Sequence, residues 1–229
     1  MTFGPAFWEV VSLSLQVAVV ATLGALPFAL ALAWVLARRS FWGHSLLNGL
    51  VHLPLVLPPV VTGYLLLLLF GRQGPVGALL FDWFGITLAF RWTGAALAAA
   101  VMAFPLMVRA IRLGIEAVDR GTEQAAATLG ASPTRVFGTI TLPLIAPSVL
   151  AGAVLGFAKA LGEFGATITF VAAIPGQTQT IPSAIYALLQ VPGQEGDVVA
   201  LVVVSIVLAM GALLLSEWLA RRMAQRVAA

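Results

Sequence analysis

From Val10 to Ala37 the chain runs without one charged side chain, and Arg38 and Arg39 close the run. A helix needs roughly 20 apolar residues to cross the hydrocarbon core of a bilayer. Inside lipid every backbone N–H and C=O must be satisfied within the protein, so such a run is read as a helix. Four comparable runs follow: Leu46 to Phe70, Thr93 to Arg112, Leu142 to a break at Gly162-Glu163-Phe164-Gly165, and Val198 to Leu219. Hydrophobic residues make up 61% of the 229 and charged residues 9%. Soluble domains carry about 25% charged residues, so this chain has too few to coat a globule in water, and far too little polarity for disorder. The expected fold class is all-α: one polytopic membrane helix bundle over residues 1–229, with five spans. A sixth would require Ile174 to Gln190 to cross. Its prolines, glycine and glutamines point instead to a partly buried, non-crossing element with a short helix from Ser183 to Gln190. Gly71 to Arg91 and Glu116 to Thr139 read as polar connections. Pro54 and Pro58-Pro59 predict a kinked or unwound entry to the second span. No cleavable signal peptide is expected, since the first ten residues hold Glu9 and no basic side chain and the run behind them is too long for an h-region.

Five spans divide the arginines unevenly. Arg38, Arg39, Arg109, Arg112, Arg120, Arg135, Arg221, Arg222 and Arg226 fall on one side, and only Arg72 and Arg91 on the other. Basic loops stay in the cytoplasm. The N-terminus is therefore expected outside and the C-terminus inside. Trp8, Trp42, Trp92 and Trp218 lie near span ends, where amphipathic rings anchor at the interface.

Several chemistries are excluded by what is missing. There is no cysteine, so disulfides, thiolate nucleophiles and cysteine metal sites are ruled out. The sole lysine is Lys159, so no P-loop lysine exists and the chain does not hydrolyse ATP by that machinery. No Gly-x-Ser-x-Gly elbow occurs. The net charge of +3 forms no basic stripe for nucleic acid. His44 and His52 have no carboxylate beside them, so no metal site is expected. No catalytic residue and no cofactor are expected either.

The connection from about residue 116 to 140 carries clear helix punctuation. Asp119 is an N-cap for a helix through Leu129, and Gly130 its C-terminal glycine. Ser132-Pro133 opens a second helix, with serine as cap and proline at the first position, running to about Thr139. Pro143 then opens the next membrane segment. Gln124, Ala125, Ala126 and Ala127 give the first helix a surface of small side chains, suited to lying in another protein's groove. An ordinary amphipathic connector at the membrane surface is the plainer alternative.

Gln124-Ala125-Ala126, then three residues, Gly130, nine residues and Ile140-Thr141-Leu142-Pro143 resembles the EAA loop of ABC importer permeases. One position departs: Gln124 stands where the pattern has glutamate, with Glu123 just before it. Ala160 to Thr167, Ile174 to Pro182 and His52-Leu53-Pro54-Leu55-Val56-Leu57-Pro58-Pro59 are similar to the molybdate and sulfate permease group, with molybdate permeases matching over essentially the whole chain. The resemblance implies a type I ABC importer-like fold and an inner-membrane homodimer in contact with membrane lipid. It further implies two cytoplasmic ABC ATPase subunits and a periplasmic oxyanion-binding protein as partners. It assigns Glu123, Gln124, Ala125, Ala126, Gly130, Leu142 and Pro143 to ATPase coupling. On this expectation the loop helix is a lever that swings the third and fourth spans. Tungstate and sulfate, divalent tetrahedral oxyanions like molybdate, are the alternative substrates.

Lys159 and Glu163 are the only charges well inside a span. Four apart, they share one helix face. Ionisable groups at that depth are costly unless paired or wet. In one reading the pair neutralises itself and braces the helix break. In another, Lys159 faces the pathway and attracts an anion. Pro58, Pro59, Gly162, Phe164 and Gly165, at the two interruptions, are the expected gate, and Thr167 a candidate hydroxyl donor. A secondary transporter coupled through Lys159 and Glu163 is the reading from another class, though no inverted repeat supports it. Gly152 and Gly156 form a GxxxG that allows close helix approach.

Overall fold

The computed structural model describes residues 4–227, and the side chains of Arg221 and Arg226 lie outside the described residues. All regular elements described are helical. In chain order they are α1 (Pro5–Arg38), α2 (His44–Val56), α3 (Pro59–Phe70), α4 (Pro75–Phe84), α5 (Trp92–Ala117) and α6 (Arg120–Thr128). There follow α7 (Pro133–Val136), a π-helical turn (Phe137–Thr141), α8 (Leu142–Leu161), α9 (Gly165–Val171), α10 (Ile181–Leu188) and α11 (Glu195–Val227).

The centre is α5, flanked by α1 and α8. On α1 the buried face repeats every three to four residues through Ser14, Ala18, Ala21, Ala25, Ala29 and Ala33. The facing side of α5 buries Ala95, Ala99 and Ala103. Lipid tails are as apolar as leucine, so the helices gain nothing from burying grease alone; small residues let backbones approach and gain packing contacts. Gly152 and Gly156 do this for α8. A Cβ on Gly152 would stand 3.2 Å from Ile111 and 3.3 Å from the Met107 carbonyl; one on Gly156 would stand 2.6 Å from Met107 Sδ. Leucines, isoleucines and phenylalanines face outward, among them Leu23, Phe28, Leu68, Ile206 and Leu214, as lipid contact requires.

Four helices are long and apolar enough to cross a membrane: α1, α5, α7–α8 taken together, and α11 through Leu219. The expected second span is present as a bent pair. Leu46 to Phe70 is not one kinked rod: α2 and α3 meet at 113°, and the break falls at Leu57-Pro58, while Pro54 lies inside α2. Four helices are continuous spans, and this bent pair is the fifth apolar segment. Between residues 174 and 190 only α10 is regular, and its eight residues reach about 12 Å, far short of a ~30 Å core.

Three expectations are corrected. Gly71 to Arg91 contains α4, which begins on Pro75 and ends at Gly85 with φ +66°; proline inside the start and glycine past the end was a legible signal. The second loop helix does not stop near Thr139. Residues Pro133–Leu161 form one continuous rod. Pro143 does not open it, because the rod passes through the π-turn first. There the N–H of Leu142 donates to the Phe137 carbonyl, five residues back. Proline clashes with the carbonyl four residues before it, and a wider turn directly ahead of Pro143 relieves that crowding.

Candidate coupling surface and membrane helix breaks

The loop helix is built as its punctuation predicts. Asp119 Oδ1 accepts from the Gly121 N–H at 2.9 Å, and Ser132 Oγ from the Arg135 N–H at 3.4 Å. Gly130 takes φ +86°, a left-handed conformation that glycine adopts at little cost. No residue of α6 is buried. Gln124, Ala125, Ala127 and Gly130 are exposed and Ala126 is half-buried. Leu129, at the tip, is 89% exposed.

Glu123 behaves differently from its neighbours. Its Oε1 accepts from Arg38 Nη2 at 3.0 Å and from Thr141 Oγ1 at 2.7 Å. Arg38 Nη2 also donates to the Val118 carbonyl at 3.3 Å. The carboxylate that precedes the small-residue face is therefore turned inward, onto the end of α1 and the π-turn. A cleft of about 450 Å³ opens between these parts, with Trp34, Arg39, Gln124 and Phe137 on its walls. Leu142 and Pro143 follow the π-turn at the start of α8. Spacing offered no way to see the tie to Arg38, which lies 85 residues away in sequence.

At the second interruption α8 ends on Gly162 and α9 starts at Gly165. Glu163, only 2% exposed, receives Lys159 Nζ on Oε2 at 2.7 Å and the Ala166 N–H on Oε1 at 3.0 Å. Both oxygens are engaged: one neutralises the lysine, the other caps the first turn of α9. Lys159 keeps 30% of its side chain exposed. Thr167 Oγ1 donates to the Phe164 carbonyl at 2.9 Å and Thr169 Oγ1 to that of Gly165 at 2.9 Å, so both hydroxyls serve their own helix. Phe164 packs its ring on Tyr186 of α10, centroids 5.2 Å apart.

The two interruptions meet in space. A Cβ on Gly165 would lie 2.6 Å from Pro59 Cβ, and one on Gly63 would lie 2.5 Å from the Ala166 carbonyl oxygen and 2.9 Å from its Cα. The start of α3 and the start of α9 thus touch backbone to backbone. Pro58 is the N-cap residue of α3. Gly63 is absent from the sequence-derived set; its place one turn after Pro59 was the available clue. Thr62 beside it is buried, and its hydroxyl has no hydrogen-bond partner among the described residues. His44 Nε2 and His52 Nδ1 pair with the backbone carbonyls of Leu36 and Asn48 at 3.0 and 2.8 Å.

Residues 25–226 match the family described as binding-protein-dependent transport system inner membrane component. The chain belongs to that family. Its relatives include the molybdenum transport system permease protein ModB of Escherichia coli (strain K12), 62% identical over 214 residues, 93% of each chain. The ModB of Haemophilus influenzae is 58% identical over 217 residues, 95% of each chain. Among solved structures, a bacterial ABC transporter that imports the acidic polysaccharide alginate shares the fold, with a TM-score of 0.74 over 96% of this chain and 80% of that one at 18% identity. The chain is therefore a multi-pass inner-membrane transport component with the type I importer-like helical fold.

Proposed function

We propose that this permease is the membrane subunit of an ATP-driven molybdate importer. The observation that carries the reading is the near-full-length identity to molybdenum transport permeases. Two copies form the pathway. Two cytoplasmic ABC ATPases supply the energy, and a periplasmic binding protein delivers the oxyanion. The exposed alanine face of α6, with Leu129 projecting at its end, is the surface the ATPase grips. The N-terminus is periplasmic and the C-terminus cytoplasmic, as the arginine bias favours.

Alternating access needs two packings of similar energy, biased by contacts that differ between them. Supporting candidates are the two helix breaks, Pro58-Pro59 and Gly162 to Gly165, because they are irregular and share one backbone contact. Lys159 and Glu163 brace the second break; their mutual neutralisation leaves no free carboxylate for ion coupling.

The test is uptake of labelled molybdate by the complex reconstituted with its ATPase and binding protein. ATP-dependent, saturable uptake is expected, with the Ala126→Asp/Gly130→Asp variant losing both ATPase co-purification and transport. Saturable sulfate uptake without molybdate competition removes the molybdate assignment. Retention of the ATPase and of uptake in the double variant removes the docking role of α6.

A further inference from the structure

Helix α6 buries none of its residues and packs chiefly on α7 and the π-turn. Apolar burial therefore cannot set its position against the membrane bundle. Its Asp119 and Thr128 side-chain bonds stay within the α6 segment. Among the described residues the polar tie from α6 to the bundle is the Glu123 carboxylate, held by Arg38 at the last residue of α1 and by Thr141 at the last residue of the π-turn.

We propose that Glu123 is a positioning residue that latches the coupling helix to α1 and to the π-turn, so that displacement of α6 is delivered to α1 and α8 together. The inference rests on α6 being the ATPase-docking element. It assigns Glu123 to transmission inside the subunit and not to the docking contact itself. The geometry suits this. A charge-assisted bond at 3.0 Å and a short hydroxyl bond at 2.7 Å converge on one oxygen, and the arginine end is 91% buried as a side chain, where screening by water and salt is weak. The element it grips is a π-turn, a rare single-turn feature found mostly at functional sites. Arg38 Nε is buried and has no hydrogen-bond partner among the described residues, so the guanidinium is held through Nη2.

The experiment compares Glu123→Gln, Arg38→Gln, the double variant, Thr141→Val and Thr141→Ser in vesicles carrying the full complex. It reads ATPase co-purification, ATP turnover and molybdate uptake per ATP. Expected is retained co-purification and turnover with uptake per ATP falling about tenfold, the scale of one hydrogen bond to a charged group. The double variant falls no further than either single one, and Thr141→Ser keeps wild-type coupling. Unchanged uptake per ATP in Glu123→Gln overturns the latch, as does an additive loss in the double variant. Loss of co-purification in Glu123→Gln alone also overturns it, since Glu123 is then a docking contact. Should Glu123→Gln fail to reach the membrane, Thr141→Val decides, because it deletes only a hydroxyl. The docking reading fails separately, through an Ala126→Asp/Gly130→Asp complex that stays intact.

Discussion

Lys159 and Glu163 show how a single buried carboxylate is made tolerable. The cost of an ion out of water is several kcal/mol, and here both oxygens of Glu163 are met, by an ammonium and by a backbone N–H. Removing one partner leaves the other uncompensated. Lys159→Met is expected to destabilise the protein by roughly 3 kcal/mol, whereas Lys159→Met/Glu163→Gln recovers most of that loss. Thermal inactivation of the detergent-solubilised chain reads both; a double variant as damaged as the single one contradicts the pairing. The i, i+4 spacing made this pair legible in advance. The second bond, to Ala166, was not, because it depends on where the helix restarts after the break.

The helices meet through residues too small to separate them, and what lies opposite each glycine decides how firmly it is required. Gly63 faces backbone, the Ala166 carbonyl and Cα, which cannot withdraw without moving α9. Gly156 faces the Met107 thioether, an unbranched side chain that re-forms easily. Gly63→Ala is therefore expected to cost about 1–3 kcal/mol, as overpacking in a tight core does, and Gly156→Ala clearly less. A chemical or thermal unfolding series on the two variants ranks them; the reverse order contradicts the packing. Periodicity marked Gly152 and Gly156 as a close-approach pair from their spacing. It had nothing to say about Gly63, since a lone glycine in an apolar run acquires meaning only from the helix that crosses it. Helix α4 is hidden for another reason: it is an apolar helix of ten residues, too few to cross a bilayer, and sits between the polar residues Arg72, Gln73 and Arg91, although Pro75 and Gly85 mark its ends.

Across the whole molecule the asymmetry of basic residues predicts one orientation, and the absence of cysteine makes it simple to measure. Gln124→Cys on α6 and Gln73→Cys in the α3–α4 turn are both exposed positions. A membrane-impermeant thiol reagent applied to intact cells with a permeabilised outer membrane is expected to label Gln73→Cys and spare Gln124→Cys. The opposite pattern inverts the topology and with it the cytoplasmic docking face. The five apolar segments were legible because hydropathy integrates over about 20 residues and takes no account of a bend. The 113° turn inside the second span lies beneath that averaging.

Local chemistry alone settled the helical class, the apolar segments and the caps of the loop helix, because solvation by lipid and hydrogen bonding at helix ends act on neighbours in the chain. Asp119, Gly130 and Ser132 needed no distant partner to take their places. Which helices touch, that the Pro59 and Gly165 breaks coincide, and that Glu123 turns inward to Arg38 were decided only when the bundle closed. Those contacts join residues tens of positions apart, and their free energy comes from shape and charge matched across helices, which no pattern along one strand of sequence encodes.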